Sequence, residues 1–315
     1  MPKVLVTGAA GFIGSHLCEA LLGRGDVVVA LDDFNDFYAP ATKRANLAAC
    51  LGHTHFTLAE GDIRDAGLVN EAAQGVDVVV HLAARAGVRP SIAQPLLYES
   101  VNVGGTLVVL EAARRHGVRR LVFAGSSSVY GNNEKIPFSE SDNVDSPISP
   151  YAATKKAGEL LCHTYHQLYG IGVICLRYFT VYGPRQRPDL AIHKFTRLIE
   201  AGEPIPVFGD GSMARDFTYI DDIVAGTLAA IDRCDGYHIY NLGESTPIRL
   251  NDLIGALEKA LGRKARIERL PRQPGDVERT YADITRARRE LGYQPSVDLD
   301  TGLGRFVEWF RRQPC

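Results

Sequence analysis

The sequence predicts a doubly wound parallel α/β sheet followed by a smaller, mixed α/β lobe. In the first half, short runs of Val, Ile, Leu and Phe alternate with segments of helical length. These runs are apolar throughout, as expected for strands buried on both faces of a parallel sheet. Beyond residue 177, glycine and proline interrupt the pattern more often. We therefore expect one domain over residues 1–177 and a second over residues 178–315.

The strands and helices of the first domain follow each other in strict alternation. A strand, a helix and a further strand repeat along the chain, which implies right-handed crossovers. The strands are predicted at 3–7, 27–31, 55–58, 76–81, 120–124 and 172–177, and the helices at 12–24, 40–50, 65–74, 96–116 and 151–169. The proline-containing segment 131–150 breaks this rhythm, and a loop of that length is either functional or mobile. In the second domain we expect helices at 190–201, 221–233, 249–261 and 301–312, and strands at 237–241 and 265–269.

Composition narrows the classes of protein that fit. The 315 residues carry 35 Lys and Arg against 37 Asp and Glu, so no basic surface for nucleic acid is indicated. No apolar run reaches the roughly 20 residues of a membrane span, and the chain starts in its first strand without a signal segment. Six scattered cysteines indicate reduced thiols and no metal site. We expect a cytoplasmic protein that binds neither nucleic acid nor membrane.

A glycine-rich turn joins the first strand to the first helix. Gly8, Gly11 and Gly14 have the spacing with which such a turn tightens, admits a pyrophosphate and lets helix pack on strand. The N–H groups at the helix N-terminus favour phosphate. Asp32 ends the second strand, where a carboxylate would bind the ribose hydroxyls and repel a 2′-phosphate. The pattern predicts NAD rather than NADP; the alternative is that the glycines serve the turn and that Asp32 caps it.

A tyrosine and a lysine share one face of the helix at 151–169. Tyr151 and Lys155 are four residues apart, and a nearby ammonium lowers the pKa of a phenol. Ser126 follows the fifth strand, at the sheet edge where open α/β sheets bind ligands. Taken singly, these residues also fit a surface pair and a capping serine. Together with a dinucleotide turn, they indicate redox chemistry between a hydroxyl and a carbonyl.

In these motifs the chain resembles the extended short-chain dehydrogenase/reductase family, and within it the nucleotide-sugar 4-epimerases. The resemblance implies a Rossmann domain, a catalytic set of Ser126, Tyr151 and Lys155 with Asn102 in support, and a homodimer formed through helices 96–116 and 151–169. The residues that would hold NAD are Gly8, Gly11, Phe12, Ile13, Gly14, Asp32, Asp62, Ile63, Leu82, Ala83, Ala84, Tyr151, Lys155 and Tyr178. Arg215 and Asp276 lie in segments that resemble the pyrophosphate- and UDP-binding segments of the family.

Two segments, at 86–89 and 179–189, are similar to those of UDP-glucuronate 4-epimerases. A buried carboxylate must be paired and hydrogen-bonded. Arg187 would supply the charge, and Ser127, Ser128 and Thr180 would supply the hydroxyl donors. The alternative for Arg187 is an ion pair with Asp189 on a solvated loop.

Several rival activities remain open at this point. A UDP-glucose or UDP-N-acetylglucosamine 4-epimerase is the nearest one. UDP-glucuronate decarboxylases usually carry Arg immediately before Pro-Gly-Asp, where this chain has Gln273. The 4,6-dehydratases need an Asp-Glu pair where this chain has Ser127 and Ser128. A catalytically silent NAD-binding scaffold would need a damaged catalytic set, whereas Ser126, Tyr151 and Lys155 are all present.

Overall fold

The computed structural model describes residues 1–271 and 277–313. Within them, a seven-stranded sheet forms the centre of the molecule, and every neighbouring pair of its strands is parallel. Its strands are β1 (Lys3–Thr7), β2 (Val27–Asp32), β3 (Phe56–Glu60), β4 (Val78–His81), β5 (Arg120–Ser126), β6 (Gly172–Tyr178) and β10 (Tyr237–Leu242). The spatial order is β10-β6-β5-β4-β1-β2-β3, so the strand order reverses between β1 and β4. The predicted doubly wound sheet is confirmed.

Alternate side chains of the strands enter two separate hydrophobic cores, one on each face of the sheet. In β1, Val4 and Val6 join one core whereas Leu5 joins the other, and all three are fully buried. This two-sided burial is why the strands read as continuous apolar runs.

Seven α-helices belong to the first 170 described residues. They are α1 (Phe12–Gly23), α2 (Pro40–Asn46), α3 (Ala66–Ala72), α4 (Val88–Ala93), α5 (Pro95–Glu99), α6 (Gly105–Arg115) and α7 (Pro150–Tyr169). The single helix expected at 96–116 is instead interrupted by a π-helical turn over Ser100–Gly104. Such turns often mark functional sites, and this one carries Asn102.

The smaller lobe is of the predicted mixed α/β kind. Its strands β7 (Thr180–Tyr182), β9 (Ala214–Tyr219) and β11 (Pro247–Arg249) form one sheet, and β8 (Pro204–Phe208) pairs with β12 (Arg266–Leu270) in another. Its helices are α8 (Ala191–Glu200), α9 (Ile220–Asp232), α10 (Leu250–Leu261), α11 (Thr285–Leu291) and α12 (Leu299–Arg311).

One strand lies outside the lobe to which the sequence assigned it. The segment predicted at 237–241 forms β10 and pairs in parallel with β6 of the large sheet. Every residue of β6 is buried, so the outer edge of β6 needs a backbone partner. The second half of the chain supplies that partner, while the proposed division at residue 177 stays a prediction.

The segment 131–150 connects the two halves of the molecule. The Phe138 backbone N–H donates to the Tyr281 carbonyl at 2.7 Å, and the Phe138 carbonyl accepts from the Asp283 N–H at 2.9 Å.

Along the described ranges, no helix is long and apolar enough to cross a membrane.

Candidate active site

A cleft of about 480 Å³ opens at the carboxyl edge of the large sheet, beside the point where strand order reverses. Open α/β sheets bind their ligands at this position. The structure brings all of the predicted cofactor and catalytic residues to the lining of this cleft, together with Ser127, Ser128, Thr180 and Arg187.

The glycine turn packs closely against neighbouring backbone, as a dinucleotide-binding turn requires. Gly8 has a φ of +72°, and a Cβ atom there would lie 2.7 Å from the Ala83 nitrogen. A Cβ atom at Gly14 would lie 2.2 Å from the Gly8 carbonyl oxygen. A side chain at Gly8 would therefore clash with the backbone after β4, and one at Gly14 would push α1 away from the turn. The N-terminus of α1 has neither a side-chain cap nor an acidic residue in its first turn, which suits a phosphate ligand.

Asp32 is held in the cleft by backbone hydrogen bonds. Its carboxylate accepts from the Ala10 N–H at 3.0 Å and from the Phe34 N–H at 2.9 Å. Burial raises the pKa of Asp32, and the two backbone donors and the Lys43 ammonium oppose that rise. Asp32 thus caps the turn, as in the alternative interpretation, and also faces the cleft where a ribose would bind.

The next wall of the cleft follows β3. Asp62 forms a bidentate ion pair with Arg64, at 3.0 Å from Nε and 2.6 Å from Nη2. These hydrogen bonds lower the pKa of Asp62, so the carboxylate is charged at neutral pH. Ile63 is buried and lies so close to Gly105 that a Cβ atom there would be 2.4 Å from Ile63 Cδ1.

A buried hydrogen-bond network lies behind the cleft. Thr106 donates to the Asn102 carbonyl at 2.5 Å, so its oxygen is left to accept from His81 Nε2 at 2.9 Å. In a neutral ring with its proton on Nε2, His81 Nδ1 accepts from the Thr7 hydroxyl at 2.7 Å, and the Thr7 oxygen accepts from the Ala83 N–H at 3.2 Å. Burial lowers the pKa of His81 to about 3, which agrees with a neutral ring.

Asn102 connects that network to the catalytic helix. Its side-chain oxygen accepts from the Arg85 N–H at 2.7 Å. Its amide nitrogen donates to the Arg85 carbonyl and to Thr154 Oγ1, each at 3.0 Å. The supporting role expected for Asn102 therefore consists of fixing the chain after β4 against α7.

Helix α7 places Tyr151 and Lys155 in the cleft. Ser149 caps its N-terminus by accepting from the Ala152 N–H at 3.1 Å, and Pro150 occupies the first helical position. Lys155 Nζ donates to the Ala124 carbonyl at 2.7 Å and lies 5.2 Å from the centre of the Phe123 ring. Burial lowers the pKa of Lys155 to about 8.

The electrostatic environment of Tyr151 differs from the sequence-based expectation. Burial is the largest effect and raises the pKa of Tyr151. A hydrogen bond with the Ser126 side chain and the positive charge of Arg187 oppose it, whereas Lys155 is not among the groups that shift this pKa. The charge that lowers the pKa of Tyr151 therefore comes from Arg187, which also lines the cleft.

Arg187 forms the ion pair of the alternative interpretation and also lines the cleft. Its Nε and Nη2 atoms bind the Asp189 carboxylate at 3.0 and 2.9 Å, and its guanidinium lies 5.2 Å from the centre of the Phe37 ring. The same side chain is only 19% exposed and lines the cleft with Tyr151. The ion pair with Asp189 therefore orients the guanidinium toward the cleft.

Two of the predicted residues make other contacts, and a third lies outside the described residues. Tyr178 lines the cleft, but its hydroxyl is hydrogen-bonded to Thr227 at 3.0 Å. Arg215 does not belong to the cleft lining among the described residues, and its guanidinium donates to the Ala214 carbonyl at 2.9 Å. Asp276 and Gln273 both lie outside the described residues.

The sequence interpretation missed one stretch of the cleft wall. Asn35, Phe37, Tyr38 and Lys43 follow β2 and line the cleft. Their position directly after Asp32, at the carboxyl end of a parallel strand, is the signal that would have found them.

Comparison with known proteins agrees with this geometry. Residues 4–243 match the NAD dependent epimerase/dehydratase family. The chain is 47% identical to UDP-glucuronate 4-epimerase 3 of Arabidopsis thaliana, over 98% of this chain and 76% of that protein. It is 44% identical to the UDP-glucuronate 4-epimerase of Thermodesulfobacterium geofontis, over 98% and 96%.

A similar fold has been solved with ligands. The crystal structure of the UDP-glucuronic acid 4-epimerase of Bacillus cereus, in complex with UDP-glucuronic acid and NAD, matches with a TM-score of 0.94. The two chains are 39% identical over 98% of this chain and 99% of the other. The resemblance inferred from the motifs is confirmed: the chain belongs to the NAD dependent epimerase/dehydratase family.

Proposed function

We propose that this protein is a UDP-glucuronate 4-epimerase, which inverts C4 of the sugar through a transient 4-keto intermediate. The observation that carries the proposal is the arrangement of one cleft. Tyr151 and Ser126 lie on one wall of it, and the largely buried Arg187 guanidinium lies on another. The wall with Tyr151 and Ser126 matches a hydroxyl that is to be oxidised. The wall with Arg187 matches a carboxylate that must be held in place. The UDP-glucuronate 4-epimerases among the similar proteins support the same substrate.

Tyr151 is the general base for the sugar 4-hydroxyl. Its phenolate takes that proton, and the Ser126 hydroxyl, hydrogen-bonded to Tyr151, stabilises the oxygen as it becomes a carbonyl. In the return half of the reaction, Tyr151 gives the proton back to the same oxygen. The proton therefore leaves and re-enters at one atom of the protein.

The cleft fits NAD, with the pyrophosphate at the glycine turn and the ribose at Asp32. When bound, NAD⁺ supplies hydride transfer at C4, and it is regenerated when C4 is reduced again. Lys155 contributes hydrogen-bond donors beside it, since an ammonium has three and one is used by Ala124. No net oxidation occurs, so no external reductant is required.

Inversion requires that the 4-keto sugar present its other face before it is reduced. The sugar must turn about its diphosphate link while the nucleotide stays bound. A pocket that held every hydroxyl tightly would prevent this turn, so binding energy belongs mainly to the nucleotide.

Oxidation of C4 in glucuronate creates a β-keto acid, which loses CO₂ when the breaking bond is parallel to the carbonyl π orbital. Arg187 is the charged donor for the carboxylate, and Ser127, Ser128 and Thr180 line the same cleft. Arg187 is already fixed by Asp189 and Phe37. We propose that these contacts keep the carboxylate out of the orientation from which CO₂ is lost.

The test is to incubate the purified protein with UDP-glucuronate, UDP-glucose and UDP-xylose separately, without added reductant, and to identify the products by NMR. We expect UDP-galacturonate from UDP-glucuronate as the main product. A UDP-pentose as the main product would make the protein a decarboxylase. Faster conversion of UDP-glucose would make it a neutral-sugar epimerase.

We further propose that the enzyme is a cytoplasmic homodimer. The resemblance assigns the dimer contact to the helices at 96–116 and 151–169. In the structure α6 packs on α7, and both expose apolar side chains: Leu107 is 42% exposed, Leu160 56% and Leu168 65%. Cys18, Cys50, Cys162, Cys175 and Cys234 are free thiols, which suits a reducing compartment.

A further inference from the structure

The loop that carries Arg187 contains a residue in an unfavourable backbone conformation. Arg185 has a φ of +64°. This left-handed region suits glycine and disfavours a residue with a long side chain. The loop must therefore be held by other contacts, because its backbone would otherwise relax at Arg185 and change the direction of the residues that follow.

A half-buried ion pair joins Arg185 to the helix of the dinucleotide turn. Arg185 Nη2 lies 2.6 Å from Glu19 Oε1, and Nη1 lies 3.4 Å from Ser15 Oγ. The side chains of Arg185 and Glu19 are 22% and 32% exposed, so water screens their attraction less than on an open surface. Glu19 lies on α1 and is 166 residues away in sequence.

The rest of the loop is fastened to its own lobe by Gln186. The Gln186 amide nitrogen donates to the Val181 carbonyl at 3.0 Å, and its side-chain oxygen accepts from the His193 N–H at 3.2 Å. Gln186 is 3% exposed. Arg187 follows directly, with its guanidinium between Asp189 and Phe37. The ion pair thus fixes one end of a short rigid segment whose other end lines the cleft.

We propose that Glu19 and Arg185 are positioning residues for Arg187, and that their ion pair sets the preference of the enzyme for an acidic over a neutral UDP-sugar. This inference rests on the proposed function, because it assumes that Arg187 binds the sugar carboxylate. Neither Glu19 nor Arg185 is among the described residues that line the cleft. Their ion pair keeps the loop in the one conformation in which Arg187 is presented, so the ordering of that loop is complete before the substrate binds.

The decisive experiment is a double-mutant cycle with Glu19→Gln and Arg187→Gln in the holoenzyme. Affinities for UDP-glucuronate and UDP-glucose are measured by calorimetry, and KM and kcat for UDP-glucuronate by product analysis. We expect Glu19→Gln to weaken UDP-glucuronate binding about tenfold and to leave UDP-glucose binding within twofold. In the Arg187→Gln background, Glu19→Gln should then have little further effect, since residues that act through one another are not additive.

Two further variants separate positioning from general damage. Arg185→Lys retains a cation that can reach Glu19, so it should keep most of the affinity for UDP-glucuronate. Glu308→Gln removes the exposed ion pair between Glu308 of α12 and Arg312, which follows that helix, and should change neither affinity. Thermal unfolding and retained NAD show whether each variant is folded.

The outcomes distinguish the two proposals. If Arg187→Gln weakens UDP-glucuronate binding but Glu19→Gln does not, the positioning role is wrong and the proposed function stands. If Glu19→Gln weakens both UDP-sugars equally, or is fully additive with Arg187→Gln, the pair does not act through Arg187. If Arg187→Gln leaves UDP-glucuronate affinity unchanged, the carboxylate assignment fails and the positioning role fails with it.

Discussion

Tyr151 lies in surroundings that oppose its ionisation. Burial raises its pKa, and the Ser126 hydrogen bond and the Arg187 charge only oppose that effect. A base with a raised pKa is mostly protonated at neutral pH, so the rate should rise with pH until the phenol ionises. Bound NAD⁺ would add a positive charge that acts on Tyr151 in the same direction as Arg187.

Replacing Tyr151 tests this assignment directly. We expect Tyr151→Phe to lower kcat by about 10²–10⁴-fold, because the proton acceptor is lost. The affinity for UDP should change little, since the nucleotide does not depend on the phenol. Steady-state kinetics and UDP calorimetry measure the two effects. Tyr169→Phe, at a half-exposed position on α7, is the matched control; near-normal turnover of Tyr151→Phe would refute the mechanism.

The buried network of Thr7, His81 and Thr106 joins β1, β4 and α6 behind the cleft. Its hydrogen bonds fit a neutral ring, and burial lowers the pKa of His81 from 6.5 to about 3. The folded state therefore binds a proton at His81 less tightly than the unfolded state. The free energy of unfolding is unaffected by this group above pH 6.5 and falls as the pH drops below it.

Between pH 7 and pH 5 we expect His81 to reduce the free energy of unfolding by about 2 kcal/mol. His81→Gln retains a donor and an acceptor without a titrating ring, so its stability should fall less steeply with acid. Denaturant unfolding at both pH values measures the difference between the two curves. The control is His53→Gln, at an exposed position before β3, which should follow the wild-type curve. Equal slopes for His81→Gln and wild type would contradict the inference.

A buried ion pair holds α7 on the sheet. Arg177 of β6 binds Glu159 of α7 through two contacts of 2.7 and 2.8 Å, and both side chains are 1% exposed. Glu159 lies one turn beyond Lys155, so the pair fixes the helix next to the catalytic lysine. Arg177 also donates to the Tyr130 hydroxyl at 2.9 Å, in the turn that follows the three serines.

Removing one partner of this pair leaves an uncompensated charge in the protein interior. We expect Glu159→Ala to lower the free energy of unfolding by about 3–5 kcal/mol. The exposed pair of Lys259 and Asp300 gives the matched comparison, and Lys259→Ala should cost less than about 1 kcal/mol. Chemical denaturation of the wild type, Glu159→Ala, Arg177→Met and Lys259→Ala measures these losses in the free energy of unfolding. A cost for Glu159→Ala similar to that of Lys259→Ala would show that the buried pair adds no stability.

At the scale of the whole molecule, local signals predicted the parts of the site that lie next to strands. Gly8, Asp32 and Ser126 could be found because each follows an apolar run in a fixed order. Local signals did not predict three other features: the left-handed backbone at Arg185, the π-helical interruption before Gly105, and the parallel pairing of β10 with β6. These depend on contacts between residues far apart in sequence, such as Arg185 with Glu19. The same applies to the charge that acts on Tyr151, which comes from Arg187.

The proposed dimer is the property that belongs to the molecule as a whole. Leu160 is more than half exposed on α7, whose other face is buried. A carboxylate placed in an apolar interface is costly to desolvate. We therefore expect Leu160→Glu to convert a species of twice the 34.4 kDa chain mass into one of single mass, as measured by light scattering at micromolar concentration. Leu51→Glu, at a similarly exposed position after α2, should leave the mass unchanged. A wild-type protein of single mass would remove the dimer from the proposal without touching the epimerase.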